Sequence, residues 1–186
     1  PDYELMTDSA WTLASHPPVF ARLIHTMKKL LIIIGVTVGL NTSIVAGPIH
    51  EAAANGDIEE IKSLIDIGVS VEHKDTNGAT ALHYSVWYNK FEVADFLISV
   101  GANVNAEDDF GHTPIFPAAY SSHINLLNLL INNGANVNHQ DKVGRTPLML
   151  TEDSQIVSVL IENGAEIDAK DFSDKTALHN AVQNNH

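Results

Sequence analysis

The chain carries a register mark that returns every 33 residues. Asp75-Thr76-Asn77-Gly78-Ala79-Thr80-Ala81-Leu82-His83 is matched 33 residues on by Asp108-Asp109-Phe110-Gly111-His112-Thr113-Pro114-Ile115-Phe116. Asp141-Lys142-Val143-Gly144-Arg145-Thr146-Pro147-Leu148-Met149 follows after another 33, and Asp171 to His179 after 30. A second mark keeps step: Gly68-Val69-Ser70-Val71-Glu72, Gly101-Ala102-Asn103-Val104-Asn105, Gly134-Ala135-Asn136-Val137-Asn138 and Gly164-Ala165-Glu166-Ile167-Asp168, spaced 33, 33 and 30. A unit this short cannot close a core of its own. Stacking on neighbours buries the apolar faces in one continuous line.

Each feature of the unit has a physical role. Asp-x-x-Gly is turn chemistry, with Asp capping locally and Gly78, Gly111 and Gly144 supplying a positive φ. Thr-Pro opens a helix, because Thr caps free backbone donors and Pro is tolerated in the first turn. Small residues, Ser85, Ala118 and Ala119, then allow close packing of a first helix. A second helix is predicted from Val93, Ala94, Phe96 and Leu97, and from Leu126, Leu127, Leu129 and Leu130, which share one face at helical period. Gly101, Gly134 and Gly164 end it as left-handed C-caps. The Val-Asn segment is expected to run extended into the next turn.

These residues resemble the ankyrin repeat: a turn, Thr-Pro-Leu-His, two antiparallel helices and Gly-Ala-x-Val-Asn. The resemblance covers about residues 49 to 186. It implies an all-α ankyrin solenoid with short β-turn fingers and a role in protein–protein interaction. It also implies that His50, His83 and His179, at the motif's His position, hydrogen-bond adjacent repeats together. Partners of such repeats usually meet the turn tips and the exposed positions late in the first helix. Carried onto this chain, those positions include Trp87, Tyr88, Phe110, His112, Tyr120, Arg145 and Phe172. Trp87 and Tyr120 are the expected anchors, since exposed aromatics make binding hot spots. All the aromatics are expected on one concave side.

Departures from the repeat carry information. The first unit lacks the turn and has Glu60 near the start of its second helix, as an N-terminal cap with a wetter face would. Phe116 replaces the motif His, and Pro117 after it is expected in the first helical turn, where no intrahelical donor is lost. Three residues are missing between Thr151 and Ile156, so the fourth unit should have a shortened first helix or inter-helix turn. The units fall at about 47–74, 75–107, 108–140, 141–170 and an incomplete 171–186.

The first 46 residues read differently. Met27 precedes Lys28-Lys29, the apolar run Leu30 to Leu40, Asn41-Thr42-Ser43 and Ile44-Val45-Ala46. That order is a secretory signal peptide of bacterial type over 27–46, cut after Ala46. The competing reading is an uncleaved anchor facing outward, but Leu30 to Ala46 is 17 residues and a span needs about 20. Both place the repeats in the periplasm or outside the cell, because Arg22, Lys28 and Lys29 precede the segment and the next base is Lys62. Residues 1–26 are expected to lie outside the natural protein, and the stack is expected either to continue past His186 or to end there on a half-repeat.

Charge narrows the partner. The whole net charge of −13 lies in residues 47–186, with 20 acids against seven bases. Phosphate binding needs a positive field, so nucleic acid is not expected. A basic protein partner fits, as does simple solubility. With no Cys, disulfides, thiolate catalysis and Cys-based zinc sites are excluded. The ten His show no H-E-x-x-H or comparable pair, so no metal or other cofactor is expected. No nucleophile elbow or phosphate loop marks an enzyme. The expected protein is a monomeric, non-catalytic binding module. The alternatives are an inhibitor or immunity-type protein of an exported enzyme, or the non-catalytic part of a larger secreted protein.

Overall fold

A computed structural model describes residues 43–183, with side chains from Gly47 to Val182. The expected signal segment up to Thr42, and the residues before it, lie outside the described residues. The expected cut after Ala46 falls inside the first helix, which starts at Ser43.

Among the described residues the structure is helical and contains no strand. The helices are α1 (Ser43–Asn55), α2 (Ile58–Asp66), α3 (Ala81–Trp87), α4 (Phe91–Ser99), α5 (Ile115–Tyr120), α6 (Ile124–Asn132), α7 (Ser154–Glu162) and α8 (Ala177–Gln183). A single 3-10 turn, Pro147–Met149, stands where the fourth unit should have its first helix. The three missing residues therefore come out of that helix and its turn. Asp153 restarts the chain by accepting the amides of Gln155 and Ile156 at the head of α7.

The helices form two rows. First helices pack on first helices (α3, α5, the 3-10 turn, α8), and second on second (α2, α4, α6, α7). The rows meet on the predicted apolar faces. Val93, Ala94 and Leu97 of α4 and Leu126, Leu127 and Leu130 of α6 are buried. Phe96 and Leu129 are only half-buried, on the flank of that face. Each buried Leu contributes about 1.5–3 kcal/mol. Ser85, Ala118 and Ala119 are fully buried between first helices, where larger side chains would hold the units apart.

The fingers are joined by one backbone bond per step. The amides of Asp109, Lys142 and Phe172 donate to the carbonyls of Asn77, Phe110 and Val143 at 2.8, 3.0 and 3.0 Å. This close approach explains the finger glycines. Gly111 has φ +77°, and a Cβ there would lie 2.9 Å from the Lys142 backbone nitrogen. Gly101 also has a positive φ, +97°, but a Cβ would meet nothing within 4 Å.

One expectation is corrected. The Val-Asn segment does not run extended but turns, with the Ala106 amide donating to Asn103 O at 3.1 Å. The turn aims Asn105 at the next unit, where its Nδ2 donates to Gly134 O and its Oδ1 accepts the Asn136 amide. Asn138 does the same to Gly164 O and the Glu166 amide. At the corresponding place in the first unit, Glu72 accepts the Asn103 amide.

The motif histidines bind the stack through carbonyls. His83 Nδ1 accepts from the Thr80 amide (3.1 Å) and hydroxyl (2.9 Å), which fixes the proton on Nε2. Nε2 then donates to His112 O in the next unit at 3.1 Å. His50 Nε2 reaches His73 O and Ala79 O. His179 Nδ1 accepts from Thr176 in the same way as His83 does from Thr80.

Where the motif His is absent, its Thr is orphaned. Phe116 and Met149 replace it, and the buried hydroxyls of Thr113 and Thr146 have no hydrogen-bond partner among the described residues. Pro117 is the third residue of α5, in the first turn as expected. A buried hydroxyl without a partner is costly, so its removal should cost little. Thr113→Val and Thr146→Val are expected to leave urea stability within ~0.5 kcal/mol of the native chain or to raise it, whereas Thr80→Val loses roughly 1–2 kcal/mol. Equal losses at all three positions would contradict this account.

Stability should also depend on pH. Burial lowers the His83 imidazole below its ordinary 6.5, against the opposing effect of its bond to His112 O. The unfolded chain then binds the extra proton more readily, so stability is complete above about pH 6.5 and falls as pH drops below it. A second loss follows below about 3.8, where three carboxyls are held low. For Asp75 and Asp141, burial pushes upward but hydrogen bonds outweigh it, from Tyr84 and two amides in one case and from Arg145 in the other. For Asp153, the Gln155 amide is the main cause. A urea midpoint that stays flat from pH 7 to pH 3 would refute both assignments.

Candidate partner-binding surface

The fingers and the first helices together make the surface on which the predicted site residues lie. Every aromatic predicted there is exposed: Trp87 57%, Tyr88 54%, Phe110 61%, Tyr120 66% and Phe172 75%. Trp87 and Tyr120 therefore do not fill gaps between units.

The single aromatic face expected from the sequence resolves into two grooves. The first has a volume of about 410 Å³ and lies between the second and third units. Tyr84, Trp87 and Tyr88 of α3 form one wall, and Asp108, Phe110 and His112 of the third unit's finger the other. His83 and Pro117 also line it. The second groove, about 340 Å³, joins Tyr120, Arg145, Met149, Glu152 and Lys175. Phe172 lines neither of these grooves. It lies against the preceding finger, where a Cβ on Gly144 would come within 2.6 Å of its ring.

The walls of the first groove are held in place by the turn chemistry itself. Asp75 Oδ1 accepts the amides of Asn77 and Ala79, and Oδ2 accepts the Tyr84 hydroxyl at 2.8 Å. Burial and this bond raise the Tyr84 phenol to about 12, so it stays a donor. Its ring lies 6.4 Å from that of Tyr88 in a stacked pair and 5.1 Å from His50. Tyr84 was not legible as a site residue, because its partner Asp75 lies nine residues before it.

On the opposite wall, Asp108 Oδ1 accepts the amides of Phe110 and His112. His112 stacks between Phe110, at 5.9 Å, and Phe116, at 5.0 Å. Its ring stands between two carboxylates, with Nδ1 3.6 Å from Asp108 Oδ2 and Nε2 3.4 Å from Asp141 Oδ2. Asp141 is buried and also takes the Arg145 Nε at 2.7 Å, which fixes that guanidinium toward the second groove. Phe116, in the place of a motif His, thus supports the aromatic wall at the cost of the Thr113 bond.

Two further imidazoles bind backbone. His123 Nδ1 donates to Val86 O and His139 Nε2 to Gly111 O, each at 3.0 Å. Among the described residues no group of three or more His, Asp or Glu is arranged to hold a metal ion.

Paired helices in two rows, with fingers bonded edge to edge and grooves opening beside them, define a repeat solenoid of the binding type. The family model described as ankyrin repeats (three copies) matches residues 21–108, 100–171 and 115–186. The chain belongs to the ankyrin-repeat family. Ankyrin repeats generally mediate protein–protein interaction and are typically non-catalytic. A search of the curated proteins finds no match. No helix among the described residues is long and apolar enough to cross a membrane.

Proposed function

We propose that this chain is an exported, monomeric interaction module that holds a basic partner protein on its fingers and first helices, without chemistry of its own. The observation that carries the reading is the cluster of Trp87, Tyr88 and Phe110 around one open groove. Exposed aromatics gathered in this way act as hot spots, and on a surface with no partner they would favour aggregation. The acid surplus of residues 47–186 suits a partner of opposite charge. A preformed stack also loses little ordering entropy on binding.

Export rests on the Lys28-Lys29 start, the Leu30–Leu40 run and the Ile44-Val45-Ala46 end. The units are placed at 47–74, 75–107, 108–140, 141–170 and from 171 onward. The acid surplus also favours a narrower reading, an inhibitor that covers the active site of a basic exported enzyme. Salt-sensitive binding together with loss of that enzyme's turnover would support it.

The test is capture from source-cell envelope and medium with the tagged chain, beside Trp87→Ala and Tyr120→Ala, with N-terminal sequencing of the recovered bait. One protein held by the native chain and lost with the variants, on a bait beginning at Gly47, is the expected result. A bait retained in the cytoplasm with Met27 intact refutes export. A partner held equally by all three baits refutes the surface.

A further inference from the structure

We propose that the groove between the second and third units receives an arginine side chain of the partner; this deepens the interaction reading and rests on it. The groove is aromatic on both walls, with Tyr84, Trp87 and Tyr88 facing the finger that carries Phe110. Neither Lys nor Arg lines it, and its lining carboxylates are Asp75 and Asp108. Aromatic faces attract cations through the ring quadrupole, and carboxylates add charge of the same sense.

The two carboxylates are not equivalent. Asp75 spends both oxygens within its own unit, on two amides and the Tyr84 hydroxyl. Asp108 spends Oδ1 on two amides, but Oδ2 has His112 Nδ1 at 3.6 Å, beyond hydrogen-bond length. That oxygen is positioned to accept a guanidinium N–H.

The shape selects among side chains. An aliphatic guest would bury Asp108 Oδ2 without a hydrogen bond, which is costly. A lysine ammonium is compact and strongly hydrated, whereas a guanidinium is planar, weakly hydrated and stacks on aromatic rings. The arginine stem covers apolar wall while its head meets the carboxylate. A groove of about 410 Å³ has room for the wider group.

The chain has two tryptophans, Trp11 and Trp87, so Trp11→Phe in the full chain leaves Trp87 as a local reporter. Titration with Ac-Gly-Arg-Gly-NH2 is expected to change its fluorescence saturably. Lysine should bind about fivefold more weakly, and the uncharged citrulline and norleucine peptides about tenfold. Asp108→Asn keeps the Oδ1 acceptor for the finger and should erase the preference of arginine over citrulline. Phe110→Ala should weaken the arginine peptide about fivefold, with thermal melting confirming that both variants fold.

Equal binding of norleucine and arginine peptides overturns the proposal, as does the absence of any saturable change. Failure here is separable from failure of the interaction surface. A captured partner lost with Trp87→Ala but kept with Asp108→Asn overturns the arginine pocket alone. A partner kept with both overturns the surface as well.

Discussion

Gly111→Ala is expected to lower the stability of the repeat stack by roughly 3 kcal/mol, while Gly101→Ala lowers it by only ~1 kcal/mol. Both glycines have φ near +80 to +100°, at +77° and +97°. An L-residue is strained there in either case, and this strain is the whole cost at Gly101, where the added methyl enters open space. At Gly111 the methyl would press on the Lys142 backbone nitrogen from 2.9 Å. That nitrogen donates to Phe110 O, the one backbone bond that joins the fingers of the third and fourth units. The methyl therefore pushes apart two units at their bonded edge, one of which has its first helix already reduced to Pro147–Met149. Urea denaturation of the two variants measures the difference. Equal losses would mean that the fingers are not closely stacked.

The second large effect concerns binding. Trp87→Ala is expected to weaken the captured partner by at least ~2 kcal/mol, about 30-fold, because a large aromatic at the centre of a groove dominates the energetics around it. Tyr120→Ala should act in the same direction from the second groove. Trp87 is 57% exposed, so its removal should change urea stability by no more than ~0.5 kcal/mol. The pairing of a large binding loss with unchanged stability separates a docking residue from a packing one. Binding retained within about twofold, well under 1 kcal/mol, would refute Trp87 as an anchor.

The fold was legible in the sequence because its period is carried by residues that act locally. A finger needs Asp at one place and Gly three residues on, and a helix end needs another Gly, whatever lies beside them. Asp75 with Gly78 and Asp108 with Gly111 could be read in that way. The shortened helix was legible as a deletion of three between Thr151 and Ile156.

The contacts that Glu72, Asn105 and Asn138 make between units were less visible, because each joins residues 26 to 31 apart whose meeting depends on how one unit sits on the next. Asn105 and Asn138 recur in step, which marked them as part of the repeat. Nothing in that recurrence shows that each bridges to a glycine carbonyl ahead of it. The Thr113 and Thr146 orphans follow from Phe116 and Met149, a substitution visible in the sequence whose consequence is not. The site was legible as a set of aromatics but not as two grooves. The division depends on Arg145 being turned onto Asp141 and Phe172 lying over Gly144. Tyr84 joined the first groove through its bond to Asp75, a pairing nine residues apart that no period announces.

The central claim is that a partner docks on the fingers and first helices rather than on the outer row. Site-specific photo-crosslinking in the source cells tests it directly, with a benzophenone amino acid placed at Tyr88 or at Ser158, which is exposed on α7 in the row of second helices. The account predicts one crosslinked protein from position 88 and none from position 158. The same protein from 158 but not from 88, or no adduct at either position from a folded and exported chain, would contradict it.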